Sequence, residues 1–431
     1  MVSDGLVFAA SRVRPASWID ETVLLAFLLL AFVGLSPFAV QAPAVTQFGE
    51  VGTTGAGDLA RQLCYLAVLA AVLIGAFRAR GLEALSAVPV LIALLLVWCL
   101  LSASWAGAPG VAFRRAGLAV VLVLSAMLSV QTVGAQRSLV LWRWVLFAVL
   151  VVNFASIPFI PQAVHLPGEA DPNLVGDWRG LYGHKNIAGS VGAMTALIFL
   201  FAPRLSPALW RKLLDVAVAL AAIGFTVMTR SKSSLGLLAV ALFCGTVYRL
   251  AWKKDLDRIT VAVAGAALAI VAVVFVIADQ GTIGRLLEDP EEFTGRTVIW
   301  QAEIAYILDH PLLGAGFGTF SDTGAVSPLH NYVGNSWAGE ASHGHNGYLQ
   351  LLMTVGVVGF LLAFGGLIMQ PALKFWARGG DIATKALLFS LFVFLLLHNL
   401  METDFLEGDG VTWVAYLLML AMLGNPSRSA R

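Results

Sequence analysis

The chain repeats one pattern about a dozen times: an apolar run that approaches or reaches the length needed to cross a bilayer, then a polar break. In hydrocarbon the backbone N–H and C=O groups need partners within the segment, so such runs are read as transmembrane helices. They lie approximately at 21–40, 62–77, 87–104, 115–133, 138–160, 187–203, 209–228, 234–251, 259–278, 346–370, 382–401 and 411–424. A chain of 431 residues that is 59% hydrophobic and 12% charged does not have the balance of a soluble domain. The expected fold is an all-α polytopic membrane protein with about twelve transmembrane helices. The first span follows Arg12, Arg14 and Asp20 without a cleavable signal pattern and reads as a retained anchor. A net charge of +1 argues against nucleic acid as a partner. Cys64, Cys99 and Cys244 fall in apolar runs, so neither a disulfide framework nor a metal site is expected.

An even number of spans puts both termini on one side. Placing them in the cytoplasm collects most Lys and Arg residues there, as the positive-inside rule requires. Residues 1–278 then form helices 1–9. A long periplasmic loop follows at 279–344, between spans 9 and 10, and 345–431 carry helices 10–12. The cations left on the outer face are grouped. Arg179 and Lys185 share the loop 161–186, Arg230 and Lys232 stand in a very short loop, and Arg285 and Arg296 lie in the long one. An anionic ligand would explain cations that break the orientation rule. Pairing of Arg285 and Arg296 with Glu288, Asp289, Glu291 and Glu292 is the plainer alternative.

The long loop ends in Ser342-His343-Gly344-His345-Asn346-Gly347, directly before an apolar run. Both histidines therefore stand near a helix N-terminus at the water interface. Free N–H groups and the dipole there attract anions and disfavour a charged imidazole, leaving His345 able to accept a proton. Histidines that merely ring the membrane surface are the bland alternative. Arg179-Gly180-Leu181-Tyr182-Gly183-His184-Lys185-Asn186 repeats the arrangement before another span, where a hydrogen-bonded helix start with a snorkelling Lys would also do. Within the loop, Thr297 to Asp309 has the spacing of an amphipathic helix on the membrane surface, and Pro311 ends it. Gly314-Ala315-Gly316-Phe317-Gly318 needs tight turns or close backbone approach. Gly356 and Gly359 would let another helix or a lipid tail come close.

Three pieces of this sequence resemble the O-antigen ligase and polymerase family of bacterial inner-membrane proteins. One is Gly295-Arg296 with Trp300, then His310-Pro311-Leu312-Leu313-Gly314-Ala315-Gly316-Phe317-Gly318. The second is His345-Asn346, nine residues, then Gly356-Val357-Val358-Gly359, which looks like the family's histidine signature. The third, Gly183-His184-Lys185-Asn186, is similar to the exopolysaccharide-polymerase branch. The resemblance implies transfer of a glycan from undecaprenyl diphosphate to an acceptor hydroxyl at the periplasmic face, without metal or other cofactor. It implies His345, Arg296 and Arg230 as catalytic groups. Arg179, His184, Lys185, Asn186, Arg285, His343 and Asn346 are then expected around the substrate. Arginines suit a departing diphosphate, a base is needed for the acceptor proton, and direct displacement inverts the anomeric centre.

A polymerase of an exported polysaccharide is the expected activity, with a ligase acting on lipid A-core as the alternative. Transfer to protein also occurs in the family. A transporter of lipid-linked sugar is the reading from another class. It fits less well, because the spans are nearly free of acids, no repeat is visible, and the polar residues gather on one face.

Overall fold

The computed structural model describes residues 17–39, 58–169, 172–203, 208–253, 296–320, 323, 326–333, 344–377 and 381–424. The apolar runs fold as helices because only the backbone itself can satisfy their polar groups in lipid. In order these are α1 (Trp18–Phe32), α2 (Leu59–Arg80), α3 (Val90–Leu101), α4 (Pro109–Val133), α5 (Ala135–Ser156), α6 (Lys185–Phe201), α7 (Leu209–Met228) and α8 (Lys232–Lys253). After them come α9 (Arg296–Asp309), α10 (Gly347–Ala363), α11 (Gln370–Trp376), α12 (Ile382–His398) and α13 (Val411–Gly424). A π-helical stretch, Phe364–Met369, joins α10 to α11. Among the described residues there is no strand, only an isolated antiparallel bridge between Val164 and Trp178.

Helix ends follow local chemistry. Ser17 and Asp20 form a reciprocal capping box on α1, and the Asp381 carboxylate accepts from the Ala383 and Thr384 N–H groups to start α12. Helices stand at eleven of the twelve predicted positions, and the twelfth, 259–278, lies outside the described residues. Five helical stretches are long and apolar enough to cross a membrane: Leu59–Ala87, Pro109–Val133, Ala135–Ser156, Lys232–Trp252 and Gly347–Trp376. Four other apolar helices are shorter. The chain is thus a helical membrane protein. α13 sits at its centre, buried on every side from Thr412 to Leu423 and apolar all round, as a fully enclosed helix must be. The outer surface carries exposed Leu66, Ile74, Val97, Leu220 and Leu361, the kind of apolar exterior that lipid covers.

α10 is not the continuous helix expected. Gly356 adopts φ 63° and ψ −173° and breaks it inside the apolar run. The chain at Pro311–Gly316 fills the break: Val357 N–H donates to Pro311 O, while Ala315 and Gly316 N–H donate to Met353 O and Thr354 O, all at 2.8–2.9 Å. Trp98 Nε1–H takes Val355 O at 2.9 Å. A side chain at Gly356 would overlap the Leu312 carbonyl, and one at Gly314 (φ 67°) would overlap the α10 backbone. Close approach at Gly356 is therefore real, but the approaching partner is loop backbone rather than a helix or a lipid tail.

The starts of α6, α8, α10 and α13 and the ends of α5, α7 and α12 gather at one end of the bundle. At the other end Arg137 makes a two-pronged pair with Glu21, at 2.9 and 2.6 Å.

Candidate functional site

Two imidazoles close the N-terminus of α6. His165 Nε2 accepts the Lys185 N–H and His184 Nδ1 accepts the Asn186 N–H, each at 3.2 Å. These contacts fix the tautomers: His165 carries its proton on Nδ1, 2.7 Å from Glu169, and His184 carries its proton on Nε2. Burial drives the His184 imidazole down to about 4, against the pull of nearby Glu402. His184 is thus a neutral hydrogen-bond donor. At α10 the Asn346 side chain accepts from the Tyr348 and Leu349 N–H groups at 3.0 and 3.1 Å, and Gly347 N–H donates to Asn399 O at 2.8 Å. The Lys185 and Asn186 N–H groups at α6, and those of Gly347, Tyr348 and Leu349 at α10, are thus already bonded within the protein.

His345 stands two residues before α10, with φ 53°. Its Nδ1 lies 2.9 Å from Glu402 Oε2, and the other oxygen of that carboxylate accepts from Asn186 Nδ2 at 2.7 Å. Asn186 Oδ1 in turn accepts from Ser231 Oγ at 3.2 Å. One carboxylate thereby ties the start of α6 to the start of α10, and Asn186 links both to the turn before α8. Glu402 is itself held by a rigid corner after α12. His398 pairs with Asp404 at 2.7 Å, Asp404 accepts from Thr412 at 2.6 Å, and Asn399 Oδ1 accepts from the Asp404 and Phe405 N–H groups.

The cations form a second layer. Buried Asp177 binds Lys185 Nζ at 2.6 Å with one oxygen and Arg230 Nη1 at 3.2 Å with the other. Arg230 lies in the turn between α7 and α8 with φ 51°, and its side chain is 70% exposed. Arg179 is different. It is 1% exposed and spends its guanidinium inside the loop, on both oxygens of Glu169 and on the Gln162 and Gly183 carbonyls. Burial pushes the Glu169 carboxyl up, but the Leu166 N–H, His165 and Arg179 together hold it below the ordinary range. Of the four non-glycine residues with left-handed backbone among the described residues, two are His345 and Arg230. Such conformations persist where surrounding structure enforces them, often at functional sites.

The structure therefore brings together His345, Asn346, Asn186, His184, Lys185, Arg179 and Arg230 from three separate segments. Arg296 opens α9, and its side chain lies outside the described residues, as do Arg285 and His343. α9 is tied to the site by the Trp300 indole, which donates to Gly344 O at 2.7 Å. Glu402, Asp177, His165 and Glu169 were missed from sequence. Each is a polar residue beside an apolar run or in a loop assigned to the same face as His345, and that shared placement is the signal that could have found them.

No curated protein matches the chain in sequence. Residues 216–364 match the family model described as O-antigen ligase. That stretch holds Arg230, Arg296, the glycine-rich loop that fills the α10 break, His345 and Gly356. Through that stretch the chain is similar to the O-antigen ligase family.

Proposed function

We propose that the protein is a glycosyltransferase that moves a glycan from undecaprenyl diphosphate to an acceptor hydroxyl, at the periplasmic face of the bacterial inner membrane. The observation that carries this reading is the His345–Glu402–Asn186 chain lying beside Arg230. Glu402 holds the His345 proton on Nδ1, so the lone pair is on Nε2. The acceptor O–H gives its proton to Nε2 as its oxygen bonds to the anomeric carbon from the face opposite the diphosphate. The bond from that carbon to the phosphate oxygen breaks, and its electron pair leaves on the diphosphate. The anomeric centre inverts, and the diphosphate charge is met by Arg230, with Arg296 from α9 assisting. Lys185 accompanies Arg230 through shared Asp177, and neutral His184 can donate from Nε2 to a sugar or phosphate oxygen. Arg179, with its donors committed, holds the loop that presents them.

Gly183-His184-Lys185-Asn186 favours a polymerase extending an exported polysaccharide. The O-antigen ligase description of the matched domain favours the second reading, transfer to lipid A-core. Purified protein given a lipid-linked oligosaccharide donor with either acceptor separates the two by product. In the same assay His345→Ala loses turnover by roughly 10²–10⁴, the scale of a lost general base. A merely structural histidine at a helix start costs on the order of 1 kcal/mol of stability instead and leaves turnover per folded molecule near normal. His343→Ala, two residues away, gives a milder defect. Normal transfer by well-folded His345→Ala protein overturns the assignment.

A further inference from the structure

α9 presses two side chains, one turn apart, against the turn that carries His345. Trp300 donates to Gly344 O. Glu303 lays its carboxyl directly on Gly344, so closely that any side chain at Gly344 would overlap it. Glu303 is 1% exposed, and neither of its oxygens has a hydrogen-bond partner among the described residues. Among the described residues no ion pair compensates it. A buried carboxylate in that position would be an uncompensated charge, and the group avoids this by keeping its proton.

Among the described residues, the titratable groups on the neighbouring elements have other partners. On α9 itself Tyr306 stacks on His310, and Asp309 accepts from Tyr332 of the short helix His330–Val333. His330 begins that short helix, and no hydrogen bond joins it to the Glu303 carboxyl. On α10 Tyr348 donates to Leu396 O, and in the turn His345 faces Glu402. Burial alone pushes the Glu303 carboxyl up to about 8.

We infer that Glu303 is a positioning residue whose neutral carboxylic acid packs against Gly344 and holds the left-handed turn of His345, and whose ionisation releases that turn. The inference rests on the transferase reading for its turnover readout. Its chemistry is a plain acid–base step: Glu303 gives its proton to solvent hydroxide, and the carboxylate formed has no hydrogen-bond partner among the described residues. Glutamine has the shape of the protonated acid and cannot ionise, so it separates the roles of shape and charge.

Turnover of the wild-type protein and of Glu303→Gln and Glu303→Ala should be followed from pH 7 to pH 9. Wild type is expected to fall about tenfold between pH 7 and pH 9, as a group titrating near 8 loses its proton. Glu303→Gln keeps wild-type turnover at pH 7 and lacks this fall. Glu303→Ala loses roughly 10- to 100-fold in kcat at pH 7 with KM for the donor little changed, the scale of a displaced catalytic group. An alkaline fall in Glu303→Gln equal to that of wild type overturns the inference. So does loss of turnover at pH 7 that is equal in Gln and Ala variants. If wild-type protein transfers no glycan, the transferase reading fails, and infrared titration still decides Glu303. A protonated-carboxyl band present at pH 7 in wild type and missing in Glu303→Gln supports the neutral acid, and its absence from wild type overturns it.

Discussion

His345 and Glu402 are 57 residues apart in sequence and 2.9 Å apart in space. The histidine could be read from its place before an apolar run. Its partner could not, because which helix ends become neighbours depends on packing that no local pattern states. The same holds for Asp177, which lies in an irregular loop yet joins Lys185 to Arg230. The cations were legible as a group, while the division between committed Arg179 and exposed Arg230 was not. A pH effect belongs at this scale. The folded-state value of His184 lies near 4, below the ordinary 6.5 of the unfolded chain. Its contribution to stability is therefore present above pH 6.5 and is lost as pH falls through 4, because only the unfolded state takes up the proton first. Thermal unfolding in detergent should show wild type losing more stability than His184→Asn between pH 6.5 and pH 4. Asparagine retains an acceptor for the Asn186 N–H and has no proton to take up. Parallel curves for the two proteins would remove His184 from this account.

Among the elements, helix positions were the most legible feature, since an apolar run in lipid has few other choices. Interruptions within a run were not. Gly356 lies in a stretch whose hydropathy continues unbroken on both sides, and its spacing from Gly359 suggested packing rather than a break. The partner that makes the break tolerable sits about forty residues earlier, in the glycine-rich loop whose need for tight turns was visible but whose destination was not. Gly356→Ala must strain a left-handed backbone and also displace the Leu312 carbonyl, so a cost of about 3 kcal/mol or more is expected. Gly224→Ala in α7 meets nothing and should be neutral or slightly stabilising. Unfolding in detergent compares the two, and equal stability would show that the break is not needed.

For the whole molecule, the alternation of helices brings the polar residues of 172–186, 229–231, 344–346 and 399–410 to one end. Sidedness is tested with single cysteines in a cysteine-free background. Asn331 is exposed in the segment before α10, whereas Ser327 in the same segment is buried and bonded to Phe320 O, a poor place for a label. Asn331→Cys should react with a membrane-impermeant thiol reagent in cells whose outer membrane is permeable. Ser86→Cys, exposed after α2, should react only once the inner membrane is opened. The reverse pattern would invert the topology. The break in α10 also bears on how the chain is made. At the break the Met353, Thr354 and Val355 carbonyls accept from outside their own helix, where lipid would supply no donor. Those donors come from Ala315, Gly316 and Trp98, all of which leave the ribosome before the α10 segment does. When that segment enters the membrane, the groups that complete it have already been synthesised and need only dock.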